Sequence, residues 1–382
     1  MQFGGIISRQ LFSNTTIIDV TLKIYENWIT QHISQSGQII GNIHNSSNTL
    51  YMICALDYIN TDNSSVQLFG LIGYCDGYRL TIKYLQTQLY YLSGVVSAGT
   101  IGTIEGQECI IIDANILLKV HNNNIGQYFG GLLCSIISEQ WEIDNITVSN
   151  SHISSQISSG LITSLMTQGS FNKILINSST AFSNSTSIYS ISGALAGDSF
   201  GDASKEIVIN QICLYNVSIV TLCNIGIYSL SGGLVGDTHE TPTKIFNVNI
   251  EFSRISANGS VNDTVSSAGL VAIMYNIITI IQNVIINRTN ISSFSNTTNV
   301  FCSGFLSGLQ TKVDIIQSKI YSINLSANGT STKVGTIMSS NSIDDQFIFI
   351  ATGLISEGIN TVNGINVNNC HNIKSIQDQN GC

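Results

Sequence analysis

The sequence predicts an all-β chain wound as a β-solenoid, a right-handed parallel β-helix of about ten or eleven coils. Three observations lead there: a short glycine-centred pattern that returns along most of the 382 residues, a local hydrophobic period of two, and a composition poor in helix formers.

The recurring pattern is a small residue, glycine, two aliphatics and another small residue. Its clearest copies are S-G-A-L-A-G-D at Ser192 to Asp198 and S-G-G-L-V-G-D at Ser231 to Asp237. Ser36 to Asn42 reads S-G-Q-I-I-G-N in the same register. Taking its third position as an index marks Gly5, Gln38, Gly70, Gly94, Gly131, Gly160, Ala194, Gly233, Gly269, Gly304 and Gly335. The mean interval is 33 residues, (335 − 5)/10, and no domain boundary interrupts the series. Residues 1–340 therefore read as one continuous repeat array. Register is lost after Ser340, so 341–382 reads as an irregular terminal coil or C-terminal cap. The chain opens inside a copy of the pattern at Phe3-Gly4-Gly5, which predicts a truncated N-terminus.

Between copies the strands show alternation. Phe246, Val248, Ile250 and Phe252 alternate with Asn247, Asn249, Glu251 and Ser253, which predicts a buried aliphatic row and a wet Asn/Ser row. A unit of this size cannot bury its own apolar face, so it must stack on its neighbours. Glycine at the index then permits a tight corner or close approach between coils. Fourteen residues past the index a small polar residue recurs within an aliphatic strand, at Asp19, Asn145, Asn247, Asn283 and Ser318. Asn216 is assigned the same part after an insertion. Stacked amides at such corners would form a ladder, with Asn216, Asn247 and Asn283 the best candidates.

Composition narrows the function classes. Charged residues are 10% of the chain and the formal charge is −9, with no Lys/Arg cluster, which argues against nucleic acid and anionic membrane as partners. The most membrane-like stretch, Gly269 to Ile286, is interrupted by Tyr275, Asn276, Thr279, Gln282 and Asn283 and reads as buried strands, so no transmembrane segment is expected. No secretory signal is visible at the start. The nine cysteines show no paired spacing and read mainly as small apolar packing residues, with their disulfide state open. Trp28 and Trp141 read as packing residues too.

The G-L-x-G cores, notably Gly233-Leu234-Val235-Gly236 and Gly70-Leu71-Ile72-Gly73, resemble the GLUG motif of repetitive bacterial and protist surface proteins. The resemblance implies a β-helical, secreted or surface-attached protein with an adhesin-like role. Some proteins that bear such repeats also carry a zinc protease domain, and nothing in this sequence matches one. His239-Glu240 is followed by Thr241, Pro242 and Thr243, so the second histidine of H-E-x-x-H is missing.

Parallel β-helices also host polysaccharide lyases and hydrolases, which need clustered carboxylates on one face. The only pair at equivalent positions is Asp198 and Asp237, each ending its motif in adjacent repeats, and these are the candidate binding residues. The simpler reading is that aspartate after glycine favours a turn. Asp344-Asp345, the one adjacent acidic pair, reads as a solvated turn. The six histidines lack metal-ligand spacing, so no catalytic residue, metal or cofactor is expected. Fourteen N-x-[S/T] sequons, Asn145 and Asn216 among them, favour an extracellular glycoprotein. The preferred reading is a non-catalytic surface or secreted β-helix for adhesion, ligand display or use as a stalk, with glycans or host-surface proteins as partners. The alternatives are a polysaccharide-active enzyme and a fragment of a larger surface protein. Neither the ligand nor the oligomeric state follows from the sequence.

Overall fold

The computed structural model describes, with short gaps, residues 101–339, together with strand segments between 2 and 98 and between 349 and 367. Asp19, Trp28, Asp344, Asp345 and most of the 341–382 segment lie outside the described residues. The protein is an all-β parallel β-solenoid, and the stretch from Gln140 to Val313 winds through about five turns. No helix among the described residues is long and apolar enough to cross a membrane. The apolar stretch from Gly269 contributes the strands Val271–Tyr275 and Thr279–Asn287.

One turn shows the plan. A long strand, Ile207–Tyr215, leads to a short strand, Ser218–Cys223, and then to two arms, Tyr228–Gly232 and Val235–His239, hinged at Gly233-Leu234. Long strands stack on the long strands of the turns above and below, as in Ile212↔Val248 and Val248↔Val284, and do so in parallel. The arms do the same, with Gly193↔Gly232 and Gly232↔Ala268. The one antiparallel pair described joins Asn360–Val362 to Ile365–Val367.

The glycine-centred motif is the hinge between arms. Its leucine position stacks Leu161, Leu195, Leu234, Leu270 and Phe305 into a fully buried column. Backbone bonds run from turn to turn even through the hinge, Leu195 N–H to Leu234 C=O at 2.9 Å and Leu234 N–H to Leu270 C=O at 2.8 Å. At two turns the place demands glycine, because a Cβ on Gly233 would fall on the carbonyl oxygen of Gly269, and one on Gly269 on that of Gly304, whereas the turn before accommodates Ala194 there. The motif serine points inward: Ser159 and Ser192 share a hydroxyl hydrogen bond of 2.8 Å, and the Ser231 hydroxyl donates to the Ile219 carbonyl at 3.1 Å. These hydroxyls find their partners inside the coil, Ser231 on a backbone acceptor.

The period of two needs correction. Each long strand is kinked by a residue of positive φ, the column Asp113, Asn145, Lys173, Gln211, Asn247, Asn283 and Gln317, with φ between 49° and 59°. Five residues on, a second column, Asn150, Ser178, Asn216, Phe252, Arg288 and Ser322, repeats the conformation at φ 47° to 53°. Each left-handed residue shifts the inside-outside phase by one. Ile245, Val248 and Ile250 are therefore the buried row, Phe246 is half-buried, Phe252 is exposed and Ser253 turns in. Asn216 belongs to the second corner, beside Ser178 and Phe252, and not to the column of Asn247 and Asn283; Gln211 holds that place in its turn. Ser318 likewise sits one residue past the corner at Gln317.

An amide ladder runs along the first corner. The Asn283 side-chain NH₂ donates to Asn247 Oδ1 at 3.1 Å, Asn247 to Asn210 at 2.8 Å, Asn210 to Asn172 at 3.0 Å and Asn172 to Asp144 at 2.7 Å. The ladder steps sideways between Asn247 and Asn210, because residue 210 precedes its corner whereas residue 247 occupies it. The index at Gly94 is displaced as well: Ala98 pairs with Phe69 and Phe129, so the motif of that turn lies five residues later than the one read from the sequence.

The core cluster is mainly aliphatic, with Trp141 and Phe171 packed edge to face at 5.0 Å. Burying each Ile or Leu stabilises the fold by roughly 1.5–3 kcal/mol, and β-branched side chains suit parallel strands buried in this way. Among the described residues Cys213 and Cys302 are free thiols.

Candidate functional site

The two best copies of the motif end in the strands Ala196–Phe200 and Val235–His239, and the register places Asp198 directly against Asp237. Neighbouring parallel strands are about 4.8 Å apart, so the repeat itself brings the two carboxylates together. The column continues upward to Ser164 and downward to Ile273, which confines the acidic pair to two rungs. Both aspartates lie within strands, and the reading of them as turn residues is corrected.

His239 completes the cluster. It lies two residues past Asp237 on the same strand, so both side chains leave the same face. Its Nε2 is 2.8 Å from Asp237 Oδ2. One donor atom from each of Asp198, Asp237 and His239 lies within 4.8 Å of the others. Asp237 is only 4% exposed, and the Oδ1 atoms of both aspartates are buried without a hydrogen-bond partner. The imidazole edge remains open to solvent.

Electrostatics follow from this placement. Burial pushes the Asp198 carboxyl well above the usual carboxylate range, and repulsion from Asp237 adds to it, against attraction from His239 and a backbone bond from Ser199. Burial also raises Asp237, opposed by the hydrogen bond and charge of His239 and by the Thr238 amide. Next to the pair, Ile273 belongs to a small apolar cluster with Ile191, Leu230 and Ala272, flanked by Tyr228, which explains why desolvation leads. Two carboxyl groups and an imidazole so arranged share protons or hold a cation.

His239 entered the sequence reading only as the first residue of a failed H-E-x-x-H. The signal that locates it is D-x-H at the end of the clearest motif copy, a spacing of two that puts both residues on one face of a strand. Other ionic contacts in the described residues are scattered: Lys244 meets Glu206 at 2.7 Å and Lys173 meets Asp144 at 3.9 Å, each at the surface. A second feature is an exposed aromatic column at the second corner. Tyr215 and Phe252 pack edge to face at 5.4 Å, and the Arg288 guanidinium lies 5.2 Å from the Phe252 ring.

No family model, curated protein or solved structure matches this chain.

Proposed function

We propose that the protein is a non-catalytic, repetitive surface or secreted solenoid that presents an extended face for adhesion or ligand display, or serves as a stalk. The carrying observation is the outer face of the long strands. It carries the amides Asn172, Asn210, Gln211, Asn247, Asn249 and Asn283, interspersed with a few charges such as Lys173 and Lys244, beside the exposed rings of Tyr215 and Phe252. Amides offer paired donors and acceptors, and aromatic rings with an adjoining arginine supply most of the binding energy at recognition surfaces. In this reading the coil is right-handed, runs to ten or eleven turns, and belongs with GLUG-type adhesin-like proteins of the cell exterior. Its partners are glycans or proteins of another cell's surface.

The polysaccharide-active alternative rests on Asp198 and Asp237. Their donor atoms lie within 4.8 Å of each other and Asp237 is 4% exposed, so a sugar ring has little access between them, which favours binding over that chemistry. A glycan and cell-surface binding array with the full chain tests the proposal. Binding that falls about tenfold or more in the double variant Tyr215→Ala, Phe252→Ala is expected. Turnover in a parallel polysaccharide degradation assay would overturn it.

A further inference from the structure

We propose that Asp198, Asp237 and His239 form a binding site for one divalent transition-metal ion of the zinc class. The site stands independently of the adhesion reading. It draws donors from two successive rungs, and the pairing that aligns Asp198 with Asp237 also holds the strand bearing His239. The three donor atoms sit within 4.8 Å of one another, a span that one cation can bridge.

The second observation is the pair of orphaned oxygens. A buried carboxylate oxygen without a donor is costly, and native proteins seldom leave one so. Here two occur on adjacent rungs, Oδ1 of Asp198 and Oδ1 of Asp237. The imidazole Nε2 lies 2.8 Å from the other oxygen of Asp237, Oδ2. A divalent ion seated among the three groups supplies the positive partner both oxygens lack.

The donor set selects the class of ion. Calcium takes six to eight oxygens and magnesium a near-ideal octahedron of them, whereas an imidazole with two carboxylates suits zinc, cobalt or manganese. Three protein donors leave a coordination position for water or an outside ligand, and His239, with 36% of its side chain exposed, borders the route to it.

Cobalt(II) titration of the metal-free full chain tests this, because its visible spectrum separates nitrogen and oxygen coordination from the thiolate coordination that the nine cysteines could offer. The expected result is one equivalent bound with a nitrogen-and-oxygen spectrum, displaced by zinc and not by excess calcium or magnesium. Asp198→Asn and His239→Gln should each weaken binding at least tenfold with an unchanged circular dichroism spectrum, while His152→Gln leaves it as it was. If the variants do not fold, paramagnetic broadening of the His239 imidazole resonances in the native chain decides the matter. Absence of stoichiometric binding, a thiolate charge-transfer spectrum, retention of binding in the folded variants, or an unbroadened His239 would each overturn the proposal.

Discussion

Cys302 shows at the level of one side chain how the coil changes chemistry. It replaces the motif serine in its turn, occupying the column of Ser231 and Ser267, and donates to the Ile291 carbonyl at 3.2 Å. Burial pushes its thiol up to about 12. The folded state therefore keeps a proton that the unfolded chain releases near pH 9, so this group's stabilisation falls as pH rises from about 9 to about 12. The slope approaches about 1.4 kcal/mol per pH unit. Urea unfolding of the native chain and of Cys302→Ala across that range should differ by this slope. Iodoacetamide at pH 8 should label the half-buried Cys213 and leave Cys302 untouched until the chain unfolds. Gly233 makes the complementary point through the backbone. Gly233→Ala forces a Cβ onto the neighbouring rung's carbonyl, with an expected loss of about 1–3 kcal/mol or more, readable as a lower urea midpoint.

Among the strands, the left-handed corners are the feature that sequence inspection missed. Asn145, Asn247 and Asn283 stand out in the sequence by their fixed offset from the index, and the ladder through Asn247 and Asn283 follows from them; asparagine also tolerates the positive φ found there. Lys173, Gln211, Phe252 and Arg288 adopt the same conformation without any local preference for it. Their neighbours impose it. Asn216 N–H bonds to Glu251 C=O at 3.0 Å, Phe252 N–H to Asn287 C=O at 3.2 Å and Arg288 N–H to Tyr321 C=O at 3.1 Å, and such rung-to-rung bonds require parallel backbone traces. Asn247 is the position to test. Asn247→Ala loses its two ladder bonds and meets the positive-φ penalty, whereas Asn247→Gly loses only the bonds. The alanine variant should therefore show the lower urea midpoint. Equal midpoints would mean that the corner carries no strain.

For the molecule as a whole, a solenoid's stability is close to a sum over turns and the contacts between successive turns. Excision of residues 207–242 joins Glu206 to Thr243, which takes the place of Ile207 in the register. The shortened chain should fold with unchanged circular dichroism per residue and a proportionately smaller dependence of stability on urea. It should also lose the metal site, because Asp237 and His239 leave with the excised turn. A collapse of the whole fold would mean that the turns are not interchangeable. The sequence alone determined the repeat, the all-β class, the glycine and leucine columns and the equivalence of Asp198 with Asp237, since each depends on residue type recurring at a nearly fixed interval. Only the tertiary structure decided which way Phe246, Phe252 and the motif serines face, that Asn216 stands at the other corner, and that His239 closes on the aspartate pair. Those outcomes depend on backbone twist passed from rung to rung by hydrogen bonds, which no single repeat encodes within itself.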